Sequence, residues 1–421
     1  MTMELMDKKI YEREELATGT DAVAHAVRLA DVDVFSAYPI RPYTGVMDRL
    51  AKFIADGTFD SEYIIADGEH SQFEIAKHAS SVGARAFAGS SGTGWLYATE
   101  ALAATATDRL PLVALVGNRA LDDPGAFGVE HNDAMLVRDL GWLIVWASTA
   151  QEALDTTLIA YRVAEDPSVM MPCAVAIDGG YLTHSQHIVK IPAKEAVKKF
   201  LPPYNLGSRR MHPDNPVSIA PQINEDWGME IRRQNWEAAK RARGVIYKAY
   251  REYNETFHSS YKNPFFDEFM MEDAEIALIG MGTVTSAAKS AVKLLREKGM
   301  KIGYVKLRWF RPFPAEELRE SLSEVRAVGV IDRDFAHGGP DDGGVLFNEV
   351  RASLYNSGNK PVMVDFIAGL AGREISIEDV ARMAEVTAHH KGDGNLVTWI
   401  RVREGKREGN AQAGTEKAGG K

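Results

Sequence analysis

The residues Val32-Asp33-Val34-Phe35-Ser36-Ala37-Tyr38-Pro39-Ile40-Arg41-Pro42-Tyr43 join a short apolar run to a polar turn. Two other turns have the same setting: Gly68-Glu69-His70 follows the run 63–66, and Asn118-Arg119-Ala120 follows the run 112–116. Parallel strands bring the turns at their carboxyl ends to one edge of a sheet, where open α/β sheets bind ligands. We therefore predict that these turns lie together at that edge.

Apolar runs alternate with amphipathic stretches from about residue 18 to residue 178. The stretches have apolar residues at three- and four-residue spacing, which is typical of helices, whereas the runs are typical of buried strands. The alternation predicts an α/β fold with a doubly wound, mostly parallel sheet. The predicted strands are 32–35, 63–66, 85–88, 112–116, 143–146 and 173–177, and the predicted helices include 44–55, 69–82 and 149–164.

A second block of the same kind follows a connector, residues 191–271. The strand signal vanishes between about residues 184 and 262, and a charged helix is expected at about 225–253, packing across the two blocks or against a partner subunit. The tail, residues 403–421, is rich in Gly, Lys and Glu without apolar anchors, so we expect disorder there. In the second block the predicted strands are 274–279, 301–306, 327–331 and 361–365, and the predicted helices are 283–298, 345–355 and 376–389.

The composition of the 421 residues excludes several classes of protein. A formal net charge of -10 argues against nucleic-acid binding, which needs clustered Lys and Arg. Cys173 is the only cysteine, so this chain alone cannot form a disulfide framework or ligate an iron–sulfur cluster. Residues 1–9 lack the apolar core of a signal peptide, and no run has membrane-spanning length. We expect a cytoplasmic protein without membrane contact.

Glu69 and Arg119 are the sharpest candidates for chemistry. Glu69 follows a strand and opens a helix, where the helix dipole stabilises a carboxylate, although an ordinary carboxylate of a first helical turn has the same pattern. Arg119 ends another strand and suits bidentate capture of a carboxylate, with an ion pair to Asp122 or Asp123 as the alternative. Arg41 lies between two prolines that stiffen its loop, which favours a binding role.

Three further motifs are less specific for a function. The loop Gly89-Ser90-Ser91-Gly92-Thr93-Gly94 has the glycines of a phosphate cradle but not the spacing or the lysine of a P-loop. Gly280-Met281-Gly282-Thr283 is half of a dinucleotide fingerprint, which leaves nicotinamide binding as an alternative function. His131-Asn132-Asp133 lacks metal-site spacing and favours a hydrogen-bond network within a loop.

Several motifs taken together, in their order along the chain, are more specific than any single residue. They are Ala37-Tyr38-Pro39-Ile40, Gly83-Ala84-Arg85-Ala86-Phe87, Arg109-Leu110-Pro111, Asn118-Arg119-Ala120, His131-Asn132-Asp133, Arg138-Asp139-Leu140-Gly141-Trp142, Asp178-Gly179-Gly180-Tyr181-Leu182-Thr183-His184, residues 308–314 and Gly369-Leu370-Ala371-Gly372-Arg373. In these motifs the chain resembles the α subunit of the 2-oxoacid:acceptor oxidoreductases, thiamine diphosphate enzymes that include pyruvate:ferredoxin oxidoreductase. The resemblance implies a pyrimidine-type thiamine diphosphate-binding domain at residues 15–190 and a transketolase C-terminal-like α/β domain at 272–390.

The resemblance also implies roles for residues at the predicted sheet edge. Glu69 would hydrogen-bond the aminopyrimidine ring of thiamine diphosphate and thereby help to remove the thiazolium C2 proton. Arg119 would bind the carboxylate of the 2-oxoacid. The other residues that the resemblance puts beside the cofactor are Tyr38, Pro39, Ile40, Ser91 and Gly92.

The family's diphosphate–Mg²⁺ motif and its cluster cysteines do not occur in this chain. The resemblance assigns the motif to a β subunit, and the iron–sulfur clusters and FAD to γ, δ and electron-transfer subunits. The active site would then form at a subunit interface, and this chain alone would be inactive. A scaffold whose site has lost its chemistry is a further alternative.

Arg41 stands where family members that use pyruvate typically carry Thr, and its turn resembles that of phenylglyoxylate dehydrogenase and of oxalate oxidoreductase. Oxalate would use Arg41 and Arg119 for its two carboxylates, whereas phenylglyoxylate could stack its ring on one guanidinium. Overall resemblance favours phenylglyoxylate, with coenzyme A as acyl acceptor and electrons passing through iron–sulfur clusters and FAD to NAD. Oxalate, pyruvate and other 2-oxoacids are the alternatives.

Overall fold

The computed structural model of the protein describes residues 10–122 and 124–403. These residues form two large sheets and one small one, so the predicted α/β class is confirmed. The strands are β1 Tyr11–Ala17, β2 Val34–Ala37, β3 Glu62–Ile65, β4 Ala86–Ser90, β5 Val113–Asn118, β6 Leu143–Ala147, β7 Cys173–Asp178, β8 His187–Pro192, β9 Phe266–Phe269, β10 Ile276–Gly280, β11 Ile302–Leu307, β12 Trp309–Arg311, β13 Ala327–Asp332, β14 Val362–Ile367 and β15 Val397–Trp399.

The helices predicted from the apolar spacing are confirmed to within a few residues at each end, and the structure has further helices that were not predicted. Among the predicted helices, Thr44–Ala55 buries Val46, Met47, Leu50 and Phe53, which lie on one face. The helices are α1 Gly19–Leu29, α2 Thr44–Ala55, α3 Glu69–Ser81, α4 Gly92–Tyr97, α5 Thr99–Thr107, α6 Asn132–Leu136, α7 Ala150–Ala164, α8 Lys194–Phe200, α9 Glu225–Phe257, α10 Val284–Glu297, α11 Ala315–Ser321, α12 Val345–Leu354 and α13 Ile377–His389. None of the described helices is long and apolar enough to cross a membrane.

The first large sheet has the strand order β12-β6-β7-β5-β4-β2-β3. All neighbouring strands in it are parallel except β12, which runs antiparallel to β6. Its central strands β4, β5 and β7 are buried along their whole length, as the continuous apolar runs predict. The carboxyl ends of β5, β4, β2 and β3 therefore lie side by side at one edge.

The second large sheet has the order β15-β14-β13-β10-β11-β9, with β9 antiparallel to β11 and the other pairs parallel. The two sheets are joined by buried charges. Glu152 on α7 receives hydrogen bonds from Lys306 Nζ and Arg308 Nε, both at 2.6 Å. The long helix α9 also spans both blocks, because Tyr253 on it bonds to Asp155 of α7 and Arg243 to the carbonyl of Phe313. The expected packing of this helix across the two blocks is confirmed.

Several predictions about strands were wrong or incomplete. Strand β8 lies in a region where the sequence predicts no strand. It pairs with β1, which was also missed, because the β1 sequence Tyr-Glu-Arg-Glu-Glu-Leu-Ala is too polar to indicate a strand. Strand β12 belongs by sequence to the second block but extends the first sheet. The pattern also missed β9 and β15. Apart from Arg403, the tail for which we expect disorder lies outside the described residues.

Candidate functional site

The three turns singled out in the sequence lie at the carboxyl ends of β2, β3 and β5 in the first sheet. Strand β4 lies between β5 and β2, and its carboxyl end leads through Ser91 into α4. The predicted common edge is confirmed, since all four strands are parallel neighbours. Polar side chains at this edge can act together on one ligand.

Glu69 is the first residue of α3 and is 7% exposed. Its carboxylate lies against Gly94 in α4, since a Cβ atom on Gly94 would collide with Oε1 of Glu69. The N-terminal position in α3 favours the negative charge through the helix dipole. Glycine at position 94 therefore gives the carboxylate the space that it occupies.

Two buried serine hydroxyls lie at the end of β4, and that of Ser90 is beside the Glu69 carboxylate. Ser90 and Ser91 are fully buried, and neither Oγ has a hydrogen-bond partner among the described residues. The Ser90 hydroxyl lies 2.7 Å from the Cβ position of Gly94, next to which Glu69 also lies. Buried hydroxyls are normally paired, so these two have hydrogen-bonding capacity for a polar ligand.

Arg119 is nearly buried at the end of β5. Its Nη2 donates to Oδ2 of Asp122 at 2.7 Å, and its Nη1 donates to the backbone carbonyl of Arg41 at 3.2 Å. The ring of Phe127 lies 4.8 Å from the guanidinium carbon. The ion pair with Asp122 that the sequence left as an alternative is therefore present, and Nε of Arg119 is buried without a partner in the described chain.

Arg41 lies in the turn after β2 with its side chain exposed. Within the described residues its guanidinium takes part in no hydrogen bond or ion pair, and the contact with Arg119 is made by its backbone. Tyr38 and Ile40 are half-buried, and Pro39 is exposed. The structure thus brings the two predicted cations to the same turn region and leaves the charge of Arg41 available at the surface.

Asp133 fastens the site loops together, a role that sequence reasoning did not assign to it. Its Oδ2 accepts from the backbone N–H groups of Gly92 at 2.9 Å and Arg119 at 3.0 Å, and its Oδ1 accepts from Asn118 Nδ2 at 2.8 Å. Burial raises the pKa of Asp133 to about 6, while these donors act in the opposite direction. The predicted loop network at His131-Asn132-Asp133 is confirmed, and the described residues contain no group of side chains that could hold a metal ion.

A second network joins this edge to the other block. Asp178, at the end of β7, accepts from His131 Nε2 and from Arg333 Nη1, both at 2.9 Å. Burial opposes ionisation of Asp178, but the charges of His131 and Arg333 outweigh it and hold its pKa well below the usual range. A Cβ atom on Gly282 would lie 2.5 Å from this carboxylate, so the glycine turn after β10 is covered by the first block instead of facing a dinucleotide.

Comparisons with known proteins all indicate the same family of oxidoreductases. Residues 25–251 match the family model "Pyruvate flavodoxin/ferredoxin oxidoreductase, thiamine diP-bdg", and residues 274–380 match "Pyruvate:ferredoxin oxidoreductase core domain II". The chain is 35% identical over 390 residues to pyruvate synthase subunit PorA of Methanocaldococcus jannaschii, covering 93% of this chain and 98% of that one. It is 37% identical over 376 residues to ketoisovalerate oxidoreductase subunit VorA of Pyrococcus abyssi, covering 88% and 93% of the two chains.

A solved structure resembles the fold. The 2-oxoglutarate:ferredoxin oxidoreductase from Magnetococcus marinus superposes with a TM-score of 0.68 at 18% identity, covering 88% of this chain and 65% of that one. At this identity the likeness concerns the architecture alone. It supports the arrangement of the two α/β blocks described above.

Proposed function

The chain belongs to the α subunits of the 2-oxoacid:ferredoxin oxidoreductase family, and from this premise we propose that Glu69, Arg119 and Arg41 form its half of an oxidative decarboxylation site. The observation that carries the proposal is the position of the Glu69 carboxylate against Gly94. This carboxylate lies at the same sheet edge as Arg119 and beside the unpartnered buried hydroxyl of Ser90.

The residues at this edge fit the pyrimidine end of thiamine diphosphate. When bound, this cofactor supplies the nucleophilic carbon for attack on the oxo group and an electron sink for the loss of CO₂. We assign Glu69 to a ring nitrogen of the aminopyrimidine, where it orients the ring and holds a proton. Ser91 and Gly92 at the end of β4, and Tyr38, Pro39 and Ile40 after β2, are assigned to the walls around it.

Arg119 is assigned to the carboxylate of the 2-oxoacid. Its buried Nε has no partner among the described residues, and its Nη2 is held by Asp122, which a substrate carboxylate can replace. A guanidinium at this depth binds a carboxylate more strongly than it would in water, since the local dielectric constant is low. In this proposal the chain contributes two groups to the reaction. Glu69 orients the cofactor, and Arg119 binds and orients the acid group of the substrate.

The remaining parts of the reaction are assigned to partner subunits. We propose a β subunit that supplies the diphosphate–Mg²⁺ motif, and γ, δ and electron-transfer subunits that hold iron–sulfur clusters and FAD. Exposed apolar side chains at the site edge support docking of such a subunit there: Ile65 ends β3, Tyr97 lies beside Gly68, and Phe127 covers Arg119.

Cys173 is fully buried, and burial raises its pKa far above the usual range, which is typical of a structural thiol.

For the substrate we put phenylglyoxylate first, oxidised to benzoyl-CoA and CO₂ with NAD as the final electron acceptor. The exposed guanidinium of Arg41 and the ring of Phe127 beside Arg119 offer flat surfaces for an aryl group. Oxalate is favoured by the same pair of arginines, because each could take one carboxylate. The relatives named above are a pyruvate synthase and a ketoisovalerate oxidoreductase, so aliphatic 2-oxoacids are the third choice.

The proposed role of Glu69 is tested in the purified complex by Glu69→Gln, with Glu62→Gln on the exposed edge strand as the matched control. We expect turnover to fall by about a hundredfold or more in the first variant, the range for loss of an acid–base group, and to be unchanged in the second. Full turnover by the Glu69→Gln complex would overturn the proposal.

The substrate is tested by reduction of an artificial dye by the whole complex with phenylglyoxylate, oxalate or pyruvate, each with and without coenzyme A. Phenylglyoxylate is expected to give the highest kcat/KM, and its rate is expected to depend on coenzyme A. Fast reduction with oxalate and no coenzyme A would identify oxalate instead. A complex inactive with every 2-oxoacid would favour a scaffold.

A further inference from the structure

Residues 128–131, which follow the Arg119 turn in the chain, lie against the turn at residues 369–372 of the second block. The backbone N–H of Gly372 donates to the carbonyl of Val129 at 3.2 Å. A backbone bond between loops of different blocks satisfies both polar groups and fixes one loop relative to the other. The segment after the Arg119 turn is therefore attached to the second block as well as to the first sheet.

The two segments approach each other too closely for side chains at two glycines. A Cβ atom on Gly128 would collide with the carbonyl oxygen of Ala371, and one on Gly372 would lie 2.8 Å from the Cα atom of Gly128. Ala371 itself has a φ of 53°, in the left-handed region that residues with a Cβ atom disfavour. Such a conformation persists only where the surrounding contacts hold it, and it is found at ligand-binding loops. The turn therefore has the shape that the segment 128–131 requires.

Glu130 supplies a side-chain contact between the segment and this turn. Its Oε1 accepts from the backbone N–H of Ala371 at 3.0 Å, across 241 positions of sequence. A bond from an N–H group to a carboxylate is charge-assisted and stronger than one between neutral groups. Burial raises the pKa of Glu130, and the N–H of Ala371 acts in the opposite direction by favouring the carboxylate. Glu130 therefore holds the left-handed turn against the segment.

A cavity beside this contact leaves it with little support from packing. The cavity has a volume of about 750 Å³ and lies between the two blocks, with Glu130, Asn132, Phe335 and Ala371 in its lining. Side chains next to open space lose the contacts that close packing gives. Few apolar neighbours can therefore take over when the Glu130 carboxylate is lost.

The segment in turn fixes the backbone next to Arg119. The N–H of Ala120, which follows Arg119, donates to the carbonyl of Gly128 at 2.9 Å. The N–H of Arg119 itself donates to Asp133 at 3.0 Å. Since Arg119 is held from both sides, its position depends on where the segment lies.

The position of Glu69 has a different origin. This residue begins α3 and lies against Gly94 in α4, and both helices belong to the first block. A displacement of residues 128–131 therefore moves the guanidinium of Arg119 and leaves the Glu69 carboxylate in place. We expect such a displacement to impair the substrate end of the site and not the cofactor end.

We propose that Glu130 is a positioning residue for the 2-oxoacid substrate. By holding the turn at residues 369–372, it keeps Arg119 where the guanidinium meets the substrate carboxylate. The second block thus takes part in substrate binding through this contact. The inference rests on the proposed role of Arg119.

Glu130→Ala and Glu130→Gln, made in the whole complex, test the contact as a matched pair. Glutamine keeps an oxygen that accepts from the N–H of Ala371, whereas alanine does not. With phenylglyoxylate and with pyruvate as probes, we expect Glu130→Ala to raise KM about tenfold or more, because a shift of about 1 Å weakens a carboxylate clamp. We expect kcat to change by less than about threefold, and Glu130→Gln to stay within about threefold of the wild type in both constants. An unchanged KM in Glu130→Ala, or equal losses in the two variants, would overturn the proposal.

Binding of thiamine diphosphate separates positioning of the substrate from a general loss of structure. Calorimetric titration of the cofactor-free complex is expected to give the same Kd for Glu130→Ala as for the wild type. Glu297→Ala, at the exposed end of α10, is the control for removal of an acid from the second block and should change neither KM nor Kd. Weaker binding of thiamine diphosphate by Glu130→Ala, in parallel with its higher KM, would assign Glu130 a structural role and overturn the proposal.

Gly128→Ala displaces the segment while Glu130 is retained. Its Cβ atom would collide with the carbonyl of Ala371, so residues 128–131 must move away from the turn. We expect the same rise in KM as in Glu130→Ala, again with an unchanged Kd for thiamine diphosphate. A Gly128→Ala complex with the KM of the wild type would contradict the dependence of Arg119 on this segment.

Arg119→Lys distinguishes failure of this inference from failure of the proposed function. Lysine keeps a positive charge on a flexible stem, so it needs less exact placement and leaves activity to measure. We expect Arg119→Lys to raise KM by itself, and Glu130→Ala to add less than about twofold to that rise, since residues that act through one contact are not additive. A KM unchanged by Arg119→Lys would overturn the role of Arg119. A KM raised by Arg119→Lys, and raised again by the full factor when Glu130→Ala is added, would overturn the positioning role alone.

Discussion

Arg119 donates a hydrogen bond from Nη1 to the backbone carbonyl of Arg41 over 3.2 Å, joining turns that are 78 residues apart in the chain. The turns follow strands β5 and β2, which are separated in the sheet by β4. The bond fixes the loop of Arg41 while its guanidinium stays exposed. The two arginines do not compete for one partner, since Arg119 is held by Asp122 and by this carbonyl.

Arg41→Thr is expected to change the choice of substrate. It removes an exposed guanidinium while leaving the backbone carbonyl that receives the bond from Arg119. We expect kcat/KM for the native 2-oxoacid to fall by about tenfold to a hundredfold, the effect of one lost charge-assisted contact, and kcat/KM for pyruvate to change by less than about threefold. Steady-state kinetics of the complex with both acids measures this, and pyruvate is the internal control. Equal losses with both acids would mean that Arg41 is structural.

Gly94→Ala is expected to inactivate the complex without unfolding the chain. The added Cβ would collide with Oε1 of Glu69, so the carboxylate must leave its place. We expect turnover to fall by about a hundredfold or more while the circular dichroism spectrum is retained. Gly358→Ala is the matched control, because a Cβ there would meet nothing within 4 Å. Similar activity in the two variants would show that the position of Glu69 is not important for turnover.

Much of this site could be predicted from local pattern. The bounds of α2, Thr44–Ala55, follow from the spacing of its apolar residues, and the position of Glu69 follows from a strand that runs into a helix. The alternative for Arg119, an ion pair with Asp122, could also be predicted, since the two residues are close in sequence. In each case short-range information was enough.

The rest could not be predicted because it depends on contacts distant in sequence. Asp133 ties Gly92 to Arg119, and nothing in the sequence around it points to those two amides. Strand β12 joins the first sheet by pairing with β6, although it follows β11 of the other sheet in the chain. Strand β1 is so polar that only its pairing with β8 identifies it.

Glu152→Gln is expected to weaken the junction between the two blocks in a pH-dependent way. Burial opposes ionisation of Glu152, but the charges of Lys306 and Arg308 outweigh it and hold its pKa well below the usual range. Glu152→Gln removes the negative charge that faces the buried cations of Lys306 and Arg308. Breaking a buried ion pair in this way lowers the free energy of unfolding by about 3–5 kcal/mol. We expect a lower Tm at neutral pH.

The sign of the pH dependence follows from the lowered pKa. The stabilisation by Glu152 is fully present above its ordinary value of 4.5 and is lost as the pH falls through the lower value of the folded state. The difference in free energy of unfolding between wild type and Glu152→Gln should therefore shrink below about pH 4. Glu275→Gln, which breaks an exposed pair with Lys301, is the control and should leave Tm unchanged. A difference that is constant down to low pH would contradict this account.

Asp365→Asn is expected to stabilise the protein at neutral and alkaline pH. Asp365 is fully buried near Asp332 and Asp334, and its Oδ2 accepts from the backbone N–H of Gly344 at 2.7 Å, just before α12. Burial raises its pKa from 3.8 to about 7, with the charge of Asp334 acting in the same direction. Asparagine keeps an acceptor for Gly344 and removes the negative charge that this cluster disfavours.

A raised pKa means that the folded chain binds this proton more tightly than the unfolded chain does. The resulting stabilisation is fully present below 3.8 and is lost as the pH rises through about 7. The advantage of Asp365→Asn over the wild type should therefore grow between about pH 4 and pH 7, to about 1–3 kcal/mol, and stay level above that. Urea unfolding near pH 5 and near pH 8 measures it, with the exposed Asp393→Asn as a control that should show the same small difference at both values. An equal loss of stability in Asp365→Asn at both pH values would contradict this prediction. It would mean that the N–H of Gly344 needs a carboxylate as its acceptor, and that the start of α12 keeps Asp332, Asp334 and Asp365 ionised.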